Sequence, residues 1–183
     1  MITLLVTLGI LAIILFWMIT VYNKLVKSKT LSQEAWSGID VFLKKRYDLI
    51  PNLVETVKGY AAHEKETLAE VVRYRSSAME SKDMAEQIEN EQGLGRALGR
   101  LMAITESYPD LKANIHFMDL QRQLSALEGD LSLARRYYNG AVRENNILIE
   151  SFPSNFIANM FNFAKGVFFE IDKAEKVAPK VSF

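Results

Sequence analysis

The chain of 183 residues contains no cysteine, only four prolines and no excess of charge of either sign. The absence of cysteine excludes disulfides, thiolate nucleophiles, iron–sulfur clusters and thiolate zinc sites. Basic and acidic residues each number 22, so no overall field attracts nucleic acid, and we expect no nucleic-acid partner. No proline lies between Pro51 and Pro109, which favours long helices over a β domain.

Charged side chains are also missing from the first 22 residues. At a rise of about 1.5 Å per residue, 20 helical residues cross the ~30 Å of bilayer hydrocarbon. The run lacks the basic start and the small-residue cleavage site of a signal peptide, although a cleaved leader and a buried core helix are the alternatives. The sequence predicts a single transmembrane helix over residues 1–22, with these membrane-spanning side chains: Leu4, Leu5, Leu8, Leu11, Ile14, Leu15 and Trp17.

An aromatic and basic boundary follows this run. Tyr22 suits the aromatic belt at a membrane surface, and Lys24, Lys27 and Lys29 come directly after it. By the positive-inside rule, the N-terminus lies outside and the rest of the chain lies in the cytoplasm. Residues 23–62 hold seven basic and four acidic side chains, an excess that suits anionic headgroups, so membrane lipid is an expected partner.

Two long apolar seams predict the body of the protein, residues 23–151. Both repeat at intervals of three and four residues, which is the period of packed helices. The first seam comprises Trp36, Ile39, Leu43, Ile50, Leu53, Val57 and Tyr60. The second comprises Leu120, Leu124, Leu127, Leu131, Ala134, Tyr138, Ala141, Asn145, Leu148 and Phe152. We therefore expect an all-α fold, with the N-terminal transmembrane helix followed by an elongated antiparallel bundle of three to four helices.

The sequence allows more than one position for the start and for the end of the first bundle helix. Thr30 and Gln33 form a capping pair that could begin a new helix, but no glycine or proline forces a break from the membrane span. A continuous helix is the alternative. Pro51 is expected to kink the helix or to end it near Ile50, because proline lacks the amide hydrogen that a helix interior uses.

Polar residues interrupt each seam once. Arg46 lies at a position of the first seam where an apolar residue is expected, and Asn145 lies within the second. A buried guanidinium needs carboxylate or carbonyl partners, and a single buried asparagine can set the register of packed helices. We predict that both residues are polar pins of the bundle rather than catalytic groups.

The segment between the seams is acidic and then rich in glycine. Residues 64–92 continue a helical pattern on an acidic background, which predicts a long hairpin arm. Gly95, Gly99 and Ala103 are spaced by four, so they share a helix face and would allow two helices to approach closely.

Aromatic residues concentrate in the last part of the chain. The pattern of residues 152–170 predicts an amphipathic helix, and residues 171–183 are predicted to form a tail. Six of the ten phenylalanines occur from Phe152 to Phe169. So much apolar surface on a short element needs a partner. That partner is the bundle itself, a neighbouring subunit or the membrane interface, the last disfavoured by the single basic residue Lys165. The predicted interaction residues are Phe156, Ile157, Met160, Phe161 and Phe168.

Motifs for catalysis and metal binding are incomplete. His63 and Glu64 begin the HExxH zinc motif, but Thr67 occupies the place of its second histidine. Neither His63 nor His116 follows a glutamate by three residues, so the di-iron motif of helical bundles is also missing. We predict no catalytic residue, no metal ligand and no cofactor.

Several stretches resemble the bacterial LemA family: AWSGIDV at 35–41, KKRYDLIPNLVETVKGYA at 44–61, YPDLKAN at 108–114, ARRYYN at 134–139 and SFPSN at 151–155. The resemblance covers nearly the whole chain. It implies one N-terminal span, a short external N-terminus and a helical bundle on the cytoplasmic side of a bacterial inner membrane. It implies no established activity and no known ligand.

Three functions agree with this organisation. The first is a non-enzymatic, membrane-anchored scaffold that self-associates, so we expect a homo-oligomer, or that presents a docking surface. The second is an adaptor or regulator of another membrane protein, such as a protease or an envelope-stress component, with the acidic arm as its recognition face. The third is a membrane-remodelling coat.

Overall fold

A computed structural model of the chain describes residues 1–169, in which no β-strand occurs. The all-α class is therefore confirmed for this range, as is the long apolar helix at the N-terminus. The helices are α1 (Ile2–Lys58), α2 (Lys65–Glu80), α3 (Met84–Thr105), α4 (Pro109–Lys112), α5 (Ile115–Glu150) and α6 (Ser154–Met160). The chain divides into unit 1, Met1–Gly38 with Ala134–Phe168, and unit 2, which contains Ile39–Leu133.

Helix α1 is continuous from the apolar segment into the first seam. It has no break at Thr30, and it passes through Pro51 to Lys58, so the expected end near Ile50 is wrong. Proline inside a helix costs about 3 kcal/mol. Burial of the neighbouring Ile50 and Leu53 offsets this cost, while the proline ring itself faces solvent.

The acidic arm of unit 2 is divided into α2 and α3 by a short break at 81–83. Asp83 caps α3 by accepting a hydrogen bond from the Glu86 amide at 2.9 Å. The Glu86 carboxylate in turn accepts one from the Lys82 amide, also at 2.9 Å. Aspartate followed by glutamate three residues later is a capping-box pattern, and it starts a new helix here.

Close approach between α2 and α3 occurs at Gly93 and not at the predicted glycine face. A Cβ atom on Gly93 would overlap the ring of Tyr74, so only glycine leaves room for that ring. At Gly99 a Cβ atom would meet nothing within 4 Å. The prediction of a close face at Gly95 and Gly99 is therefore wrong, because spacing alone does not show which side of a helix meets its neighbour.

The two seams run antiparallel within each unit. In unit 2, Arg46 of the first seam helix pairs with Glu128 of the second. Tyr60, which follows Arg46 in the sequence, accepts a hydrogen bond from Asn114, which precedes Glu128, so the two segments run in opposite directions. In unit 1, the ring centroids of Trp36 and Tyr138 lie 5.2 Å apart in an edge arrangement. Most seam residues are buried or half-buried; Tyr60 and Phe152 lie beyond the ends of α1 and α5 and are exposed.

The aromatic helix α6 is much shorter than the predicted range of 152–170. Asn162 has a positive φ of 55°, the Asn162 amide bonds to Asn159 O, and the Phe163 amide bonds to Ala158 O at 2.9 Å. These are the two hydrogen bonds of a Schellman motif, in which asparagine is the commonest substitute for glycine. The helix therefore ends at Met160, and the predicted tail at 171–183 lies outside the described residues.

After α6, the chain as far as residue 169 has no regular secondary structure and is hydrogen-bonded to α5. The Asn146 side chain donates to Gly166 O at 3.0 Å and accepts from Gly166 N at 2.8 Å. Tyr138 then donates its hydroxyl hydrogen to Val167 O at 2.7 Å. Side chains of α5 thus satisfy backbone groups of Gly166 and Val167 that have no helical partner.

Candidate functional site

The apolar part of α1 presents its side chains to the surroundings. An 18-residue window of this helix has a mean hydropathy of 2.8 and none of it is buried within the protein, so α1 is long and apolar enough to cross a membrane. The predicted membrane-spanning residues are exposed except Trp17, which is half-buried: Leu4, Leu5, Leu8, Leu11, Ile14 and Leu15. Exposed leucine and isoleucine on every side of a helix is the pattern of a lipid-facing segment rather than of a core helix.

A small core of unit 1 joins the end of this apolar segment to α5 and α6. Leu25 and Ile149 are buried together with Ile157 and Ala158 of α6. Partly buried side chains pack against this cluster from three segments. They are Trp17, Met18 and Val21 on α1, Leu148 on α5, and Phe163 after α6. The last turns of the apolar segment thus pack against a core that α5 and α6 share.

The predicted interface residues lie beside this core. The ring of Tyr22 meets Phe161 edge-on, with centroids 4.7 Å apart, and Phe163 at 5.8 Å. Lys29 places its ammonium 6.0 Å from the Phe163 ring centroid, within reach of a cation–π attraction. Lys24 and Lys27 are exposed. The structure therefore brings two of the predicted interface residues, Tyr22 and Lys29, into contact with part of the aromatic segment.

The predicted interaction residues do not share one face. Ile157 is 2% exposed and belongs to the core of unit 1, so its contacts are with the bundle itself. Phe161 packs on Tyr22 but is still 50% exposed, and Phe168, which lies beyond α6, is 39% exposed. Phe156 and Met160 remain exposed, at 62% and 61%.

A side chain outside that prediction extends the exposed surface. Phe152 is 78% exposed and meets Phe156 edge-on at 5.9 Å between centroids. Its seam position predicted burial, but α5 ends at Glu150, two residues earlier. The exposed aromatic face of α6 is therefore defined by Phe152, Phe156 and Met160.

Arg46 lies in the core of unit 2 within a network of charged and polar groups. Its Nη1 is 2.9 Å from Glu91 Oε2, and its Nη2 is 2.9 Å from Glu128 Oε1. Tyr47 donates its hydroxyl hydrogen to Glu91 Oε1 at 2.6 Å, and Arg75 Nε donates to the Tyr47 carbonyl at 2.8 Å. Each oxygen of the fully buried Glu91 thus has a donor, as a buried carboxylate requires.

The surroundings of Tyr47 favour its protonated form. Burial raises the pKa of Tyr47 well above its ordinary value, and the negative charge of Glu91 raises it further. The hydroxyl therefore stays protonated and able to donate to the carboxylate. Glu91 was missed as a partner of Arg46, because it lies in an acidic run that predicted only a long hairpin arm.

Asn145 has no comparable network. It is 4% exposed, and its Oδ1 atom has no hydrogen-bond donor among the residues that the structure describes. Arg46 and Asn145 belong to different units. The seam position of Asn145 predicted its burial, while a role in setting register stays a prediction.

No group of three histidine, aspartate or glutamate side chains gathers within residues 1–169 as metal ligands would. His63 and His116 are both exposed. A surface groove of about 360 Å³ in unit 1 is lined by Leu31, Arg136, Tyr137, Gly140, Ala141, Arg143 and Glu144. Neither a nucleophile with a neighbouring base nor a paired set of carboxylates lines that groove.

Comparisons with known proteins place the chain in a family. The model of the LemA family matches residues 35–183. Protein LemA of Metamycoplasma hominis is 27% identical over 156 residues, which cover 85% of this chain and 71% of the relative. Magnetosome protein MamQ 2 of Paramagnetospirillum magneticum is 25% identical over 175 residues, covering 81% of this chain and 64% of the relative.

Magnetosome protein MamQ of Magnetospirillum gryphiswaldense is 24% identical over 174 residues, with the same 81% and 64% coverage. The chain thus spans a little under two thirds of the length of the MamQ relatives. None of these names describes an enzyme, and with the apolar part of α1 they indicate a membrane-associated helical protein. Since the family model covers most of the chain, the resemblance seen in the motifs is confirmed, and the chain belongs to the LemA family.

Proposed function

We propose that this protein is a non-enzymatic, membrane-anchored scaffold on the cytoplasmic side of a bacterial inner membrane. It self-associates or presents a docking surface there. The observation that carries the proposal is the continuity of α1, whose exposed apolar segment and buried seam form one helix from Ile2 to Lys58. Parts of α5 and α6 pack on residues 17–36 of this helix. A continuous helix therefore fixes the distance of these parts from the bilayer.

Membrane anchoring is tested by placing charge in the apolar segment. The double variant Leu8→Lys with Leu11→Lys is compared with the matched variant Leu8→Ala with Leu11→Ala. Each lysine near the bilayer centre costs about 2.5–3.5 kcal/mol, whereas alanine costs far less. We expect the lysine variant to leave the washed membrane fraction and the alanine variant to stay. Retention of both variants would contradict a spanning helix.

Orientation is tested with single thiols, since the natural chain has no cysteine that would compete for the reagent. The variants are Thr3→Cys, at the N-terminal end of the apolar segment, and Ser37→Cys, an exposed position that follows the three lysines. A membrane-impermeant maleimide should label the first in intact cells and the second only after lysis, because Lys24, Lys27 and Lys29 favour the inner side. The reverse pattern would overturn the proposed topology.

Scaffolding is tested by the size of the full-length protein in mild detergent. Homogeneous particles of many copies support self-association. A monomer that co-purifies with one other membrane protein supports the adaptor function instead, in which the exposed acidic residues of α2 and α3 are the recognition face. Particles that form only with lipid and change vesicle curvature support the membrane-coat function.

A further inference from the structure

Helix α6 lies at the same depth along α1 as the end of the apolar segment. Its buried residues Ile157 and Ala158 share a core with Leu25, and Trp17 and Met18 pack against that core. Trp17 precedes Leu25 by eight residues, which is about 12 Å toward the N-terminus at the helical rise. Phe161, directly after α6, contacts Tyr22. The α6 region therefore contacts α1 at Tyr22 and shares a core with the stretch of α1 from residue 17 to residue 25.

That stretch is the part of α1 that meets the lipid headgroups if the apolar segment spans the bilayer. About 20 residues fill the hydrocarbon, and tryptophan and tyrosine concentrate at its boundary, where Trp17 and Tyr22 stand. A segment that contacts Tyr22 and shares a core with Trp17 and Met18 lies at about the depth of these residues. For α6 this depth is the boundary between acyl chains and headgroups.

The exposed surface of α6 has the chemistry of that boundary. Phe152, Phe156 and Met160 are each more than half exposed, whereas the charged residues that normally cover a water-facing helix are absent. Residues 151–169 contain no acidic side chain, and their single basic side chain, Lys165, pairs with Glu150. Nearby on α1, Lys24 and Lys27 are exposed and suited to anionic headgroups.

We infer that α6 is an interfacial membrane element, which inserts Phe152, Phe156 and Met160 into the leaflet where the α1 span ends. The inference rests on the proposed function, because it takes the apolar segment of α1 as the span. The protein then contacts the bilayer at two places, the span and the side of α6.

The scarcity of basic residues on α6 is consistent with this role. An isolated amphipathic helix needs electrostatic attraction to find an anionic membrane. Helix α6 is instead carried to the membrane surface by α1, on which it packs through Ile157 and Ala158. Tethering of this kind raises the local concentration of a weak binding element without further contacts. Lys165 therefore does not have to supply the attraction.

Site-directed spin labels test the depth of α6 in the full-length protein. Phe156→Cys and Met160→Cys are labelled with a nitroxide and reconstituted into vesicles of phosphatidylcholine and phosphatidylglycerol. Collisions with oxygen, which enters lipid, are compared with collisions with a water-soluble nickel complex. Leu11→Cys is the lipid-facing reference. Ser37→Cys is the matched water-facing reference, about 22 Å beyond Tyr22 along α1.

We expect both α6 labels to resemble the Leu11 label, with nickel accessibility several-fold lower than at Ser37 and high oxygen accessibility. Nickel accessibility like that of Ser37 would overturn the inference. Low accessibility to both reagents, with dipolar broadening between labels, would also overturn it and would assign this face to a second copy of the chain. A water-exposed Leu11 label would overturn the proposed function itself, so the two failures are distinguishable.

Discussion

Arg46 in unit 2 and Asn145 in unit 1 occupy equivalent kinds of position, a polar residue inside an apolar seam, but their surroundings differ. Arg46 has carboxylates at both terminal nitrogens, and the same Glu91 receives the hydroxyl of Tyr47. Asn145 is buried to a similar degree, yet its amide oxygen has no donor within residues 1–169. Within the described residues, Arg46 thus has carboxylate partners at its two terminal nitrogens although its Nε has none, whereas the amide oxygen of Asn145 has no partner at all.

This difference shows that burial alone does not indicate what a polar residue contributes to stability. Removal of one member of a paired, buried set leaves a charge without a partner, which costs several kcal/mol. Removal of a buried group that lacks a partner instead relieves a desolvation penalty. The two residues should therefore respond to apolar substitution with opposite signs.

The largest expected effect is that of Arg46→Met. It leaves Glu91 buried and without its cation, so we expect the free energy of unfolding to fall by about 3–5 kcal/mol. Chemical unfolding in detergent, followed by circular dichroism, measures the change. The double variant Arg46→Met with Glu91→Met should recover most of the loss. A double variant as unstable as the single one would show that the ion pair is not the reason.

Alkaline pH should weaken both units through their buried tyrosines. Burial raises the pKa of Tyr138 to about 12, and burial with the charge of Glu91 raises that of Tyr47 further. In the unfolded chain both ionise near pH 10, so their stabilisation is complete below pH 10 and is lost as pH rises above it, at about 1.4 kcal/mol per unit of pKa shift. Unfolding is measured from pH 9 to 12.

Tyr138→Phe is the control for this pH effect. It removes a titrating group of unit 1 but keeps the ring beside Trp36. The loss of stability with pH should be smaller in the variant than in the natural chain. An unchanged slope would mean that Tyr138 ionises at its ordinary pKa in the folded protein.

Gly93→Ala should destabilise unit 2 by about 1–3 kcal/mol, because the added methyl group overlaps the ring of Tyr74. Gly99→Ala, on the same helix, is the matched control. It meets open space and should stabilise the protein by roughly 0.5–1 kcal/mol through higher helix propensity. Equal effects of the two substitutions on the unfolding midpoint would contradict the close approach at Gly93.

The smallest effect concerns Asn145→Leu, which should stabilise unit 1 by about 1 kcal/mol by removing an amide oxygen without a donor. The neighbouring Asn146→Leu is the control. Asn146 bonds both backbone groups of Gly166, so its loss should destabilise the protein. Thermal unfolding compares the two variants. If Asn145→Leu destabilises instead, Asn145 has a partner outside residues 1–169 or in another copy.

Local patterns predicted the elements of this protein better than their partners. The apolar run and the seams identified α1 and α5, since periodicity depends only on nearby residues. The candidate site was predicted in part: Tyr22 and Lys29 do lie beside the aromatic segment, but the helix of that segment is shorter than its pattern. Asn162 ends it by adopting a positive φ, a signal that was present in the sequence and is weak without its hydrogen bonds.

The sequence by itself determined that the chain is helical, that its first 22 residues are suited to lipid and that its seams bury one polar residue each. Only the tertiary structure decided which groups meet. Glu91 lies 45 residues from Arg46 and looks like a solvated acid in its own segment, while Ile157 looks like its exposed neighbour Phe156. The reason is physical: an element forms from interactions a few residues apart, whereas a partner is chosen by distant segments that compete for the same space.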